Sequence, residues 1–221
     1  MIELQQTFKS FFMEGVRKTV LHPTDLVLQT GKSVGLIGRN GAGKTTLLRM
    51  ISGTIPPSSG QIRITGSISW PVGFAGSFHA DLSGAQNTRY VARLYGVDSE
   101  DLLEFTEDFA ELGGHFHLPC RTYSSGMLSR LAFGVSMGIA FDTYLVDEIT
   151  AVGDSAFRTK SNAVFLDRMQ RSGAIVVAHS MGLIKELCTA VMVLDDGHLS
   201  YFDDIAAGVA FYEAIMARPA A

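Results

Sequence analysis

Residues 33–51 read SVGLIGRNGAGKTTLLRMI. Ser33 to Ile37 is a short apolar run of strand length, and a helix is expected from about Lys44 to Ile51, stopped by Gly53 and Pro56-Pro57. Between them, Gly38-Arg39-Asn40-Gly41-Ala42-Gly43-Lys44-Thr45 fits G-x-x-x-x-G-K-[ST] in full, with Thr46 next in the helix. The strand–loop–helix setting is the context in which this pattern has a mechanism. Successive backbone N–H groups of such a loop converge on phosphate oxygens, and the helix N-terminus adds partial positive charge. Lys44 would set a cation on the β- and γ-phosphates, and Thr45 would offer a hydroxyl to Mg²⁺. The bland alternative is a glycine-rich turn holding a chance lysine, and the flanking elements weigh against it.

A phosphate loop of this kind needs a second metal-facing group at the end of a neighbouring strand. Thr143-Tyr144-Leu145-Val146-Asp147-Glu148 supplies one. Four residues with β character deliver Asp147 to the carboxyl edge of the sheet, where ligands of open α/β folds bind. Asp147 would orient a metal-bound water, and Glu148 would polarise the attacking water as general base. Standing alone, the pair would read as a solvated acidic turn. His179 follows the buried run Ala174 to Ala178 (AIVVA) and would point into the same crevice. Its readings are a hydrogen bond to the γ-phosphate or a satisfied core histidine.

Around these residues the chain alternates apolar strands with helices. Gln61 to Thr65, Ser67 to Trp70 and Ala190 to Leu194 read as further strands. Ala156 to Gln170 reads as a helix, and Asp195-Asp196-Gly197 as a hairpin turn. The pattern implies a parallel sheet covered on both faces. The stretch from about 85 to 140 differs, reading as an all-helical insert. Asn87 to Leu94 forms one helix, Asp98 starts a second with Asp101 at capping-box spacing and Gly113-Gly114 as its stop, and another follows Ser124.

Composition bounds the function. The 221 residues are 47% hydrophobic and 18% charged, enough to build a core. The net charge of -4 provides no basic field for nucleic acid or anionic lipid. Cys120 and Cys188 are far apart, in no metal-binding spacing, and read as small hydrophobes in a reducing compartment. Leu131 to Phe141, the densest apolar run, is too short to cross a bilayer, and MIELQQTFK has no signal-peptide core. A cytosolic chain is expected.

The order of P-loop, helical insert, Tyr123-Ser124-Ser125-Gly126-Met127, Asp147-Glu148, Asp154 and His179 resembles the nucleotide-binding subunit of ABC transporters. The resemblance implies a P-loop NTPase fold of the α/β class: a mostly parallel central sheet, N-terminal antiparallel strands and an inserted helical subdomain. One ABC ATPase domain would span 1–221, with a RecA-like core at about 1–84 and 141–221 and the helical subdomain at about 85–140. ATP and Mg²⁺ are the implied cofactors. Residues 123–127 (YSSGM) stand where the family has LSGGQ; Ser124 and Gly126 match, while Tyr123, Ser125 and Met127 depart. Matching Ser124 implies a helix N-terminus facing the γ-phosphate of a partner copy, hence a head-to-tail ATP-sandwich homodimer, with Asp154 crossing between subunits. In isolation the same five residues read as an ordinary helix cap. The family stacks adenine on an N-terminal aromatic residue; Phe11 is the candidate, with Phe12 beside it, and a core strand residue is the competing reading. The family's glutamine between P-loop and helical insert is missing, since no Gln or Glu occurs from Thr65 to Ala85.

The resemblance narrows further. Residues 67–73 (SISWPVG), 91–95 (VARLY), 122–126, Ser129-Arg130-Leu131 and 146–154 (VDEITAVGD) look like the ATPase subunit of bacterial capsular polysaccharide exporters. Members of that family pair with an integral membrane permease at the cytoplasmic face of the inner membrane. They move lipid-linked polysaccharide outward, and periplasmic and outer-membrane components continue the route. Only about forty residues follow His179, enough for two strands and a helix and too few for the added carbohydrate-binding domain of related O-antigen exporters. Other glycan or lipid exporters stay open, and a soluble ABC ATPase working without transport is the remoter alternative. Trp70, Phe74 and Phe78 read either as a docking surface for the permease or as core packing.

Overall fold

The computed structural model describes residues 1–13, 15–73, 76, 78–147, 155–177 and 180–217. They group into two compact units: one of residues 1–71, 141–147 and 171–217, the other of 72–140 and 155–170.

The first unit is built on a six-stranded sheet in the order β5-β6-β7-β3-β8-β9. Its strands are β3 (Ser33–Ile37), β5 (Ile68–Pro71), β6 (Thr143–Asp147), β7 (Gly173–Val177), β8 (Ala190–Asp195) and β9 (His198–Phe202). β5 through β8 pair in parallel, while β9 runs antiparallel on β8. The reversal at β9 is local: Asp196 and Gly197 both take positive φ, 43° and 76°, as a two-residue I′ hairpin requires. Central strands β3 and β7 are buried at every position, so apolar side chains of β3 alternate between two covered faces. Val34 and Leu36 join Leu47, Leu48 and Ile51 of α1 (Lys44–Ile51) in one core cluster. Gly35 faces the other way, where a Cβ would come within 2.9 Å of Ile184 on α6 (Met181–Leu187).

A second sheet in this unit is antiparallel, built of β1 (Ile2–Met13), β2 (Val16–Leu28) and β4 (Ser59–Ile64) in the order β2-β1-β4. The last helix, α7 (Ile205–Met216), packs closely on β8: a Cβ at Gly208 would meet Val191 Cγ1 at 2.2 Å. The expected strands at 61–65 and 67–70 lie at 59–64 and 68–71, shifted by one or two residues.

The second unit is helical, with α2 (Gly84–Tyr95), α3 (Ser99–Ala110), α4 (Ser125–Gly138) and most of α5 (Ser155–Arg171). α2 opens on a full capping box between Ser83 and Gln86. At α3 the Asp98 carboxylate accepts from the Glu100 and Asp101 N–H groups. The stop of α3 differs from the expected Gly113-Gly114. The helix ends at Ala110 because Glu111 itself takes the left-handed conformation, φ 51°, and its N–H bonds Glu107 O. Gly113 and Gly114 belong instead to a 3-10 turn, Gly113–His117. Phe109 is the aromatic centre of this unit, 5.7 Å from Phe133 and 5.3 Å from Phe157 between ring centroids.

Candidate functional site

The loop after β3 takes its shape from its glycines. Gly41 and Gly43 adopt φ 77° and 108°, which L side chains rarely accept. Gly43 is doubly constrained, because a Cβ there would stand 2.3 Å from Val20 Cγ1 on β2. A Cβ on Gly38 would stand 2.3 Å from Leu194 O, so the loop lies tight against β8. The Ala42 N–H bonds Arg39 O at 3.1 Å, closing the turn. Lys44 folds back over it, its ammonium donating to Gly38 O at 2.7 Å and Arg39 O at 3.0 Å. Those carbonyls hold the cation at the mouth of the loop.

Helix α1 then begins with no side-chain cap and no acid in its first turn. By contrast Ser83, Asp98, Ser124, Ser180 and Asp204 cap α2, α3, α4, α6 and α7. A helix start left without a carboxylate or hydroxyl keeps its N–H groups and partial charge available to an anion. A cavity of about 290 Å³ opens at this point, lined by Asn40, Gly41, Gly43, Lys44, Thr45, Thr46, Asp147 and Val177.

Parallel pairing of β6 with β7, Val146 opposite Val176 and Asp147 opposite Val177, carries Asp147 to the cavity. The structure therefore brings Lys44, Thr45 and Thr46 of α1 together with Asp147 of β6, elements far apart in sequence. Gly38, Arg39 and Ala42 shape the loop from behind, through backbone contacts. Val177 was not among the expected site residues, although it stands two residues before His179 on the strand already aimed at the crevice. Glu148, Asp154 and His179 lie outside the described residues.

Phe11 is on β1, opposite Lys18, and 38% exposed; Phe12 beside it is 75% exposed. Neither ring is a core residue. The Lys9 ammonium lies 5.0 Å from the Phe11 ring centroid, leaving the ring fixed from one side. Trp70 is half-buried, edge-on to Phe141 at 5.6 Å, so its ring is packed within the first unit; Phe78 is half-buried, and Phe74 is outside the described residues.

In the second unit, Ser124 caps α4 through its hydroxyl, which accepts from Met127 N–H at 3.2 Å. No acid occupies the first turn of α4. Gly126 has nothing nearer to a would-be Cβ than Ser124 Oγ at 3.9 Å. Glycine in a helix costs about 1 kcal/mol against alanine, and no neighbouring atom in the fold calls for it here. Among the described residues no group of three or more His, Cys, Asp or Glu could hold a metal, and no helix is long and apolar enough to cross a membrane.

The family model for ABC transporters matches residues 21–151, which hold the glycine loop, α4 and Asp147. This chain belongs to the ABC transporter family. ABC relatives resemble it along almost its whole length. The capsule polysaccharide export ATP-binding protein CtrD of Neisseria meningitidis serogroup B is 41% identical over 215 residues, 97% of this chain and all of that protein. The polysialic acid transport ATP-binding protein KpsT of Escherichia coli is 44% identical over 216 residues, 96% of each. The O-antigen export protein RfbB of Myxococcus xanthus is 38% identical over 185 residues, 82% of this chain but 42% of that protein. Among solved structures, a dimeric post-hydrolysis form of the ATP-binding cassette MJ0796 with ADP and Pi shares the fold. Its TM-score is 0.73 at 19% identity, over 90% of this chain and 98% of that one. The α/β cassette with a mostly parallel sheet and N-terminal antiparallel strands is thus the ABC ATPase fold.

Proposed function

We propose that this chain is the ATP-hydrolysing subunit of an ABC exporter that drives capsular, lipid-linked polysaccharide across the inner membrane. The observation that carries this reading is the 41–44% identity, over 96–97% of the chain, to ATP-binding proteins named for capsule polysaccharide export and polysialic acid transport. In this reading the subunit works as a homodimer on the cytoplasmic face, held there by an integral membrane permease.

The residues around the cavity support the chemistry. Lys44 and the uncapped start of α1 bind and neutralise the β- and γ-phosphates of ATP. Asn40, Gly41, Gly43 and Thr46 complete the cradle. Thr45 and Asp147 fit Mg²⁺: both offer hard oxygens to one cavity, and two protein ligands suit an ion that keeps phosphate and water in its remaining positions. Bound there, the ion would balance charge on the phosphates. Glu148 takes a proton from the attacking water, and His179 holds the γ-phosphate by a hydrogen bond. Phe11, exposed and fixed by Lys9, offers its open face to adenine.

The helical part, about 85–140 against a core of 1–84 and 141–221, carries the share of the site given to a partner copy. Ser124 and the open first turn of α4 face the partner's γ-phosphate, Gly126 leaves room for that approach, and Asp154 crosses between copies. Two bound ATP molecules close the dimer and hydrolysis reopens it.

Replacing Glu148 by Gln at the native locus tests the whole reading. Polymer should accumulate on the cytoplasmic side while synthesis continues. Normal surface polysaccharide with no second copy of the gene would overturn it. A second reading, export of O-antigen, draws on the 38% identity to RfbB and on similar identity to other O-antigen export proteins, and the chemistry of the trapped polymer separates the two.

A further inference from the structure

The helical unit contains a hydrogen-bonded tie that the chemistry above does not use. Tyr123, the residue before the α4 cap, departs from the leucine of the family signature. Its hydroxyl accepts from the Gly84 N–H at 3.1 Å, in the first turn of α2, and donates to His115 O at 2.8 Å. A leucine could make neither bond. The fit is close: a Cβ on Gly84 would lie 2.6 Å from that hydroxyl and 3.0 Å from Phe116 Cδ2. Burial, the largest effect, pushes the phenol up to about 12, so its proton stays in place as donor at neutral pH.

The tie is the last link of a larger connection. Cys120 N–H bonds Leu82 O at 2.9 Å and Arg121 N–H bonds Ala80 O at 2.8 Å. Asn87 is 2% exposed, and its amide nitrogen lies 3.1–3.2 Å from the His79, Leu82 and Ser83 carbonyl oxygens and 3.3 Å from Cys120 Sγ, so its two hydrogens are shared among these acceptors. Its Oδ1 accepts from His79 N–H at 2.9 Å. Residues 79–84 and 115–123 are thereby one hydrogen-bonded body, and Ser124 is the next residue out of it. Such a turn has few ways to move without breaking the Tyr123 bonds.

We propose that Tyr123 is a positioning residue for the shared ATP site: its hydroxyl fixes the turn that aims Ser124 and the start of α4 at the nucleotide held by the partner copy. The inference rests on the reading of Ser124 given above. It assigns the departure from leucine a task, locking the signature turn to the start of α2.

Tyr123→Phe keeps the ring and removes only the hydroxyl. The full chain is purified as wild type, Tyr123→Phe, Tyr123→Leu and Ser124→Arg. Melting temperature, affinity for a fluorescent ATP analogue and ATP turnover against protein concentration are measured for each. The same variants are placed at the native locus, where polymer export reads turnover in the assembled transporter. Both Tyr123 variants should hold ATP affinity within about two-fold while turnover and export fall by about five-fold or more, the split expected when a transition-state contact is misaimed. Unchanged turnover and export, or a loss that merely follows ATP affinity or melting temperature, overturns the positioning role. Ser124→Arg separates the two levels. If it leaves turnover and export intact, the shared-site reading falls and this inference with it. If it abolishes both while Tyr123→Phe does not lower them, only the inference falls.

Discussion

Single residues at the glycine loop carry roles that separate by measurement. Lys44 is the cation at the loop mouth, held by two backbone carbonyls. Lys44→Ala should weaken ATP binding about 10- to 100-fold, the worth of a charge-assisted hydrogen bond, in a nucleotide titration. Gly43→Ala acts differently, through the backbone. Its φ of 108° and the approach to Val20 leave no room for a methyl, so the variant should lose about 1–3 kcal/mol of stability as well as ATP affinity. Asp147→Asn should leave metal-free ATP binding intact and flatten the Mg²⁺ dependence of affinity, since only its charge toward the ion changes. The loop pattern was legible in the sequence because Gly41 and Gly43 answer local backbone demands for a positive φ. Val177 was not, because its place in the cavity depends on pairing with β6.

At the scale of elements, ends matter more than middles. Ser83 closes the capping box of α2, and Ser83→Ala should cost about 1 kcal/mol, or about 2–4 °C in melting temperature for a chain of this size. Asp142 ties the start of β5 to the start of β6. Its Oδ2 accepts from Ser67 N–H at 2.7 Å and Ser67 Oγ at 2.9 Å. The backbone bond first, then the side-chain bond, lowers its pKa below the ordinary carboxylate value. A depressed pKa contributes stability above the unfolded-state value and loses it as pH falls through the folded one. Acid unfolding curves should therefore show Asp142→Asn destabilised at pH 7, with the difference from wild type shrinking below about pH 4 as both side chains become neutral. The α3 stop shows where local rules fail. Two glycines at 113–114 look like the terminator, yet Glu111, the residue after Ala110, accepts a left-handed φ before them. A non-glycine cap of that kind has no sequence signal.

For the whole molecule, the proposed function makes dimerisation the property that decides whether the cavity turns over. Glu148→Gln should retain ATP binding, lose turnover by about 10²- to 10⁴-fold and accumulate a closed dimer on size exclusion with ATP. Hydrolysis at the wild-type rate would remove Glu148 as the base. Two copies contribute in this scheme, so wild-type turnover should rise faster than linearly with protein concentration.

The sequence by itself determined the glycine loop between β3 and α1, the buried parallel strands, the run of helices α2 to α4 and the family, since each rests on local spacing or on strings long enough to be specific. Tertiary structure alone decided which strand ends meet. Strand order β6-β7-β3 sets Asp147 and Val177 beside Lys44 and Thr45, though more than a hundred residues separate them. It alone also revealed the hydroxyl of Tyr123 spanning from Gly84 to His115. The bond to Gly84 crosses 39 residues and depends on how the helices pack, so no short window of sequence contains both of its partners.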